Sequence, residues 1–92
     1  MKTIWKYPIG IDAEIKIEIP MFAEILTVQV QYGEPNLWVL VDEDNKYEVR
    51  KFICYGTGHQ IECKDLLYIG TFQLLEGKFV WHLFEKREVI KV

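Results

Sequence analysis

The chain has 92 residues, a length that allows one domain and excludes two. Hydrophobic residues make up 50% of the sequence and aromatic residues 14%, which excludes a disordered chain. The net charge is -3, and 11 basic residues are scattered among 14 acidic ones, unlike the basic face of a protein that binds nucleic acid through its phosphates. We therefore expect a single domain over residues 1–92 with no direct nucleic-acid partner.

Several kinds of segment and site have no signal in the sequence. No apolar run is long enough to cross a bilayer, and the N-terminus lacks the apolar core and cleavage site of a signal peptide. Cys54 and Cys63 do not form a Cys-x-x-Cys pair, and His59 and His82 add too few ligands for a metal site. The chain has no serine, which excludes Ser-His-Asp hydrolysis. We expect a protein that is not an enzyme, without metal or cofactor, in a reducing cytoplasm-like compartment.

Alternation of apolar and polar residues dominates the first half of the chain. Residues 3–7 predict a short strand, and residues 15–19, in which isoleucines alternate with charged residues, predict a half-buried strand. Residues 26–32 predict a further strand that stops at a turn over residues 33–36, where glycine and proline favour chain reversal. Residues 37–41 are apolar on both faces and predict a central strand. The last two strands should pair as a hairpin.

The second half continues the same pattern. Residues 47–55 predict another strand, and residues 66–74 and 79–85 predict a second hairpin around a turn at residues 75–78. About seven short strands with little helix predict an all-β, mostly antiparallel fold, either a small sandwich or a small barrel. The residues expected to be buried are Ile15, Ile17, Ile19, Val28, Val30, Val39, Phe52, Phe72 and Phe84.

Three segments remain open at this level. Residues 21–24 and 62–67 are the best candidates for a helical turn, although neither shows a convincing helical stripe. The tail over residues 85–88 could extend a strand, form a helical turn or fray.

The most unusual stretch is a glycine-rich loop at residues 56–59, which follows a predicted strand. Gly56 and Gly58 allow the backbone to turn tightly and expose N–H groups, and successive exposed N–H groups form an anion-binding nest. Thr57 adds a hydroxyl and His59 a ring, so the loop suits a phosphate or a carboxylate. The alternative is an ordinary turn, because two glycines alone match no nucleotide-binding fingerprint.

Two cations precede this loop on the same strand. By alternation Arg50 shares a face with Phe52, while Lys51 shares the opposite face with Tyr55. We predict that Arg50 and Lys51 hold phosphate together with the loop, and that the Arg50 guanidinium and the loop N–H groups face one cavity. Aromatic rings such as Tyr55 would then stack against a base.

The predicted second hairpin contributes further candidates. Trp81 and His82 are adjacent, so they point to opposite faces, and a His beside a Trp could stack on or hydrogen-bond a base or sugar. A structural role for His82 is the alternative. Gly70 inside a strand predicts a bulge or a close backbone approach. If Thr71 and Gln73 face inward, their side chains would supply polar contacts to a ligand in a pocket. If they face outward, they have no binding role.

Six stretches carry a resemblance to a known family: MKTIWK at residues 1–6, AEILTVQVQ at 23–31, LWVLVD at 37–42, YGTGH at 55–59, YIGTFQ at 68–73 and FVWHLFE at 79–85. Together they resemble a family of small uncharacterised proteins, a domain of unknown function, from tailed phages and bacterial prophages. The resemblance covers nearly the whole chain and brings no catalytic residues with it.

The resemblance implies a phage protein acting in the cytoplasm of a bacterial host. By analogy of genome context, we expect a counter-defence binding protein that sequesters a small nucleotide signal, with Trp38 or Trp81 as further stacking rings. The alternatives are a protein–protein inhibitor of a host defence effector or nuclease, or an accessory phage protein without ligand. Thirteen aromatic residues in one small domain also predict a homo-oligomer, with a dimer as the default.

Overall fold

The structure is a computed structural model, and it describes residues 1–87. These residues form seven antiparallel strands in two sheets and contain no helix. The strands are β1 (Lys2–Pro8), β2 (Ile15–Pro20), β3 (Glu24–Gln31), β4 (Glu34–Asp42), β5 (Tyr47–Gly56), β6 (Leu66–Leu74) and β7 (Phe79–Lys86). Since none of the described residues is helical, no helix among them is long enough to span a membrane.

The two sheets pack as a small sandwich. Sheet A has the order β1-β4-β3, and sheet B has the order β2-β5-β7-β6. Strand β4 is the central strand of sheet A, as its two apolar faces predict, and the hairpins β3–β4 and β6–β7 are confirmed. The prediction of an all-β antiparallel fold is confirmed. The sequence left a sandwich and a barrel as alternatives, and the two separate sheets correspond to a sandwich.

The core follows from alternation, because every second side chain of each strand points between the sheets. Phe52 and Leu83 have no exposed surface, and Leu37, Val39 and Val41 on β4 are each 1% exposed. Of the nine residues expected to be buried, six are buried, namely Ile15, Ile19, Val28, Val39, Phe52 and Phe72; the other three, Ile17, Val30 and Phe84, are half-buried.

The two sheets approach each other closely at one corner, where β6 has a bulge. The register of β6 against β7 shifts between Tyr68 and Gly70, as the glycine predicts. A Cβ on Gly70 would lie 2.9 Å from Cγ1 of the buried Val28 on β3, so glycine allows the edge strands of the two sheets to approach. The bulge also packs Ile69 against the core while Thr71 remains exposed, which alternation alone did not predict.

Three predicted segments differ in the structure. The β3–β4 turn lies at Tyr32 and Gly33, with φ values of 52° and 78°, instead of residues 33–36. Both central residues have positive φ, which is the two-residue hairpin turn that fits the strand twist. Pro35 is accepted in β4 because it lies beyond the end of β1 and needs no donor there. The possible helical turn at residues 62–67 is instead loop and the start of β6.

The two other open segments are also resolved in part. Met21 and Phe22 form the β2–β3 turn and not a helix. At the tail, β7 extends the strand to Lys86. Glu88, the last residue of the predicted tail, lies outside the described residues.

Candidate functional site

A half-open cavity lies where β5 ends and β7 begins. Its volume is about 330 Å³, at the small end of the range for ligand pockets. The wall combines rings, a hydroxyl and one cation; it is formed by Gly56, Thr57, His59, Lys78, Phe79, Val80 and Trp81. The backbone pairing of β5 with β7, in which Gly56 is opposite Trp81, brings these two stretches together.

The loop at residues 56–59 is a β-turn. The N–H of His59 donates to the carbonyl of Gly56 at 3.0 Å, and Gly58, the third residue of the turn, has a φ of 85°. Positive φ at that position alone is the pattern of a type II turn, which requires glycine. The turn interpretation of this loop is therefore confirmed.

The predicted anion nest does not form in this turn. The Thr57 N–H donates to the carbonyl of Val80 at 3.3 Å, and the Gly56 N–H donates to Nδ1 of His59 at 3.3 Å. With the bond from His59, three of the four loop N–H groups already have acceptors within the protein. An anion at this loop would depend mainly on side chains, because three of the four backbone donors are used.

The ring of His59 stands against the ring of Trp81 in the cavity wall. Their centroids are 6.2 Å apart and the planes are inclined by 80°, an edge-to-face arrangement. Gly56 makes room for this ring, since a Cβ there would lie 2.8 Å from Cε1 of His59. The buried Nε1 of Trp81 has no acceptor among the described residues, so a donor is left unsatisfied beside the cavity.

The expectation that Arg50 and the loop face one cavity is wrong. Arg50 forms a bidentate ion pair with Glu85, with nitrogen–oxygen distances of 2.6 and 2.8 Å, and it also donates to the carbonyl of Ala23. The two side chains are only 19% and 13% exposed. These hydrogen bonds with Glu85 raise the pKa of Arg50 above its ordinary value. Its position on the core-facing side of β5 makes Arg50 a structural ion-pair partner.

The remaining predicted cation and one predicted ring also lie elsewhere. Lys51 lines a second cavity of about 500 Å³ with Arg50, Glu85 and Lys86. Along β5, this cavity is about 20 Å from the loop, since Gly56 lies six positions beyond Arg50. Trp38 lies on the outer face of sheet A, on the other sheet of the sandwich.

His82 lies on the outer face of sheet B inside a chain of hydrogen bonds. Its Nε2 is 2.8 Å from the hydroxyl of Thr57, and its Nδ1 is 2.8 Å from the hydroxyl of Thr71. The Thr71 hydroxyl is in turn 2.6 Å from the hydroxyl of Tyr68. Thr71 therefore faces outward and acts as a support for His82, and His82 in turn braces Thr57 at the cavity.

An aromatic cluster covers the same outer face. Phe84 contacts Tyr55 at a centroid distance of 6.0 Å and Tyr68 at 5.5 Å, both edge to face. Tyr68 is 55% exposed. The three rings come from adjacent strands β5, β7 and β6 and form a surface beside the cavity instead of a part of its wall.

The thiols have contrasting surroundings. Cys54 is buried, and this burial raises the pKa of its thiol to about 11, so the protonated, weakly nucleophilic form persists at neutral pH. Cys63 is half-buried in the loop before β6 and is also free. Within residues 1–87, no group of three or more His, Cys, Asp or Glu side chains could hold a metal ion.

The structure brings together four of the predicted residues, Gly56, Thr57, His59 and Trp81, in the cavity wall. Lys78, Phe79 and Val80 complete the wall and were missed from the sequence. Finding them requires the knowledge that β5 pairs with β7 and not with β6, the next strand along the chain. Gly58 shapes the turn, while Tyr55 and His82 lie on the adjacent outer face.

Comparison with known proteins gives a family and no function. No curated protein and no solved structure matches the chain significantly. A family profile for a domain of unknown function matches residues 1–91. The predicted membership in a family of unknown function is thus confirmed, and the chain belongs to DUF7352.

Proposed function

We propose that this protein binds a small nucleotide-type ligand in the cavity at residues 56–59 and sequesters it without converting it. The observation that carries the proposal is the convergence of the His59 and Trp81 rings with Lys78 in the wall of one concave site. Rings provide stacking surfaces for a base, and the ammonium provides a point charge for a phosphate.

The size and charge of the cavity favour a particular ligand class. Lys78 is the cation of the wall, and three of the four loop N–H groups that would help to neutralise a second charge are used within the protein. A cyclic mononucleotide, whose phosphodiester carries one negative charge, matches this donor set better than a doubly charged monoester. With a volume of about 330 Å³, the cavity also favours one nucleotide unit over two.

The setting of this activity is part of the proposal. The resemblance to tailed-phage and prophage proteins favours the cytoplasm of an infected bacterium, where the protein would lower the free concentration of a nucleotide immune signal. The proposal requires no proton-transfer or nucleophilic step. The expected chemistry is binding alone.

Calorimetric titration with a panel of nucleotides tests the proposal. We expect a cyclic mononucleotide to bind more tightly than the matching nucleoside, and Lys78→Ala to weaken its binding about tenfold, the lower end for a charged hydrogen bond. Lys64→Ala, at an exposed lysine outside the cavity wall, is the control and should bind as the parent does. Failure of every nucleotide to bind, or equal binding by Lys78→Ala, would contradict the proposal.

The exposed aromatic cluster favours a second candidate, inhibition of a host defence protein. Tyr55, Tyr68 and Phe84 form a ring-rich surface, and aromatic residues dominate the energetics of many protein interfaces. Phage plating on a host with an active defence system separates the two functions. Loss of protection with Tyr68→Ala but not with Lys78→Ala would favour the inhibitor, and the reverse pattern the nucleotide binder.

A further inference from the structure

Phe22 is displayed in an unusual way at the β2–β3 turn. Its side chain is 85% exposed, and its backbone has a φ of 64°, in the left-handed region that bulky residues rarely adopt. Both features are unfavourable for an isolated protein, since glycine or asparagine would fit this backbone without strain and without exposing a ring. Strain of this kind persists only where the surrounding structure enforces it.

Hydrogen bonds enforce it here from two directions. The Met21 N–H donates to the carbonyl of Lys46 at 2.7 Å, and the Asn45 amide donates to the carbonyl of Met21 at 2.9 Å. The Phe22 N–H donates to the Glu48 carboxylate at 3.3 Å. The turn that carries Phe22 is therefore tied to the β4–β5 turn and β5, and the exposed ring is presented by a rigid support.

The carboxylates around this support make the Phe22 end of the sandwich acidic. Glu48 accepts the Phe22 N–H, and the β4–β5 turn, which is hydrogen-bonded to the Phe22 turn, contains Asp42, Glu43 and Asp44. Three cations stand against these four carboxylates, so the net charge of this end is still negative. They are the Lys46 side chain, the Lys2 side chain opposite Asp42, and the N-terminal amine, which pairs with Asp42 and Asp44 at 3.5 Å.

A complementary receptor lies at the other end of the same molecule. Tyr47, the first residue of β5, is opposite Pro20 beside the Phe22 turn, whereas Gly56, the last residue of β5, lines the cavity. The two features are thus about 30 Å apart along one strand. The cavity offers apolar and aromatic walls with a volume of about 330 Å³, and Lys78 gives it a positive charge.

We propose that Phe22 of one molecule inserts into the cavity at residues 56–59 of a second copy of this chain. The ring would pack against Phe79 and Trp81, and Lys78 would face the carboxylates of the incoming acidic end. An exposed ring would thus meet apolar and aromatic walls, and an acidic end would meet a lysine. The proposal concerns a different occupant of the cavity and does not depend on nucleotide binding.

The position of the two features determines the kind of assembly. Phe22 and the cavity lie at opposite ends of the molecule, so two copies that pack side by side in opposite directions can each insert Phe22 into the cavity of the other. This arrangement is a two-fold dimer that makes the contact twice. Copies that make the contact only once would form a head-to-tail chain, which leaves one Phe22 and one cavity unused at its ends.

Sedimentation velocity over increasing protein concentration tests the proposal on the full chain. We expect the parent to form a dimer as its concentration rises, and Phe22→Asn, which removes the ring and tolerates the backbone, to weaken association by at least about 30-fold, as expected for an interface hot spot. Tyr32→Asn is the matched control, because Tyr32 is 96% exposed with a φ of 52° in a different turn. Should Phe22→Asn fold poorly, Phe22→Gly provides the same test.

A mixing experiment distinguishes this contact from general stickiness. Gly56→Phe places a ring where the His59 ring stands in the cavity wall but keeps Phe22, whereas Phe22→Asn keeps the cavity, so neither variant should associate alone. Mixed together, they have one working contact and should form a discrete one-to-one dimer. A parent that stays monomeric at all concentrations, a Phe22→Asn variant that assembles like the parent, or a mixture that forms no dimer would each overturn the proposal.

Discussion

The Arg50 guanidinium donates hydrogen bonds to both carboxylate oxygens of Glu85 on the neighbouring strand β7. It also donates to the carbonyl of Ala23, the residue directly before β3 of the other sheet. One cation therefore connects β5 to β7 within sheet B and reaches the chain that enters sheet A. Because this ion pair is largely buried, its loss leaves an uncompensated charge in the sandwich.

Replacing Arg50 should accordingly destabilise the fold. We expect Arg50→Ala to lower the free energy of unfolding by about 2–4 kcal/mol, measured by urea denaturation, since Glu85 would remain buried without its partner. The double variant Arg50→Met with Glu85→Leu should recover much of that loss, because both charges are removed. Lys16→Ala breaks an exposed ion pair with Glu14 and should change stability by less than about 0.5 kcal/mol. A similar small effect for Arg50→Ala would contradict the structural role.

Cys54 should make stability depend on pH in the alkaline range. Burial raises the pKa of its thiol from 9.0 to about 11, so between these values the unfolded chain loses the proton while the folded protein keeps it. The stabilising contribution is complete below about pH 9 and is lost as the pH rises toward about 11, with a magnitude on the order of 2 kcal/mol. Between pH 8 and 10.5, the free energy of unfolding measured with urea should fall less for Cys54→Ala than for the parent. For the control variant Cys63→Ala, this free energy should fall as much as it does for the parent.

Gly70 should not tolerate a side chain. Alanine would place its Cβ 2.9 Å from Val28 Cγ1 at the corner of the two sheets, and we expect Gly70→Ala to cost about 1–3 kcal/mol by overpacking. Val28→Ala combined with Gly70→Ala should be less destabilising than the sum of the two single changes, because the clash is relieved. Gly10→Ala is the control, since its nearest neighbour is the end of the exposed Asp12 side chain at 3.0 Å. Strict additivity would argue against the close approach.

Gly56→Ala should separate ligand binding from stability. The added Cβ would lie 2.8 Å from Cε1 of His59, an exposed side chain that can swing out of the cavity at little cost. We expect nucleotide binding to weaken about tenfold, because the ring that stands against Trp81 is displaced, while the thermal midpoint changes by only a few degrees. The ring protons of His59 in NMR spectra would report the displacement. Unchanged binding with a displaced ring would remove His59 from the site.

Most of the fold was predictable because period-two patterning carries through nearly every strand. The alternating isoleucines of β2 predict a half-buried strand, and the two-faced apolar run of β4 predicts a central one. The β3–β4 turn was misplaced because Tyr32 adopts positive φ beside Gly33, whereas a proline-containing segment two residues later gave the stronger turn signal. The direction of the side chains around the β6 bulge could not be predicted either, since the extra residue in a bulge shifts the inward–outward alternation by one position.

The candidate site was predictable only in part, and the reason lies in strand order. Residues along one strand were expected to meet in one cavity, but five residues of extended chain separate Arg50 from the 56–59 loop. The alternation itself placed Arg50 on the face of Phe52, which the structure buries, and that placement favoured an internal ion pair over a ligand contact. Lys78 and Phe79 reach the loop through a pairing between non-consecutive strands, which local patterns do not encode.

The place of β7 between β5 and β6 has a consequence for how the protein is made. This strand is synthesised after both of its neighbours, yet it supplies the hydrogen bonds that connect them. Until the ribosome has released residues 79–86 from its exit tunnel, the nascent chain holds Phe52 and Phe72 on strands that lack their shared partner. A chain stalled within the β6–β7 turn would therefore expose the unpaired backbone edges of β5 and β6, which favour aggregation. We expect chaperones to bind such a translation intermediate and to release the chain once β7 is complete.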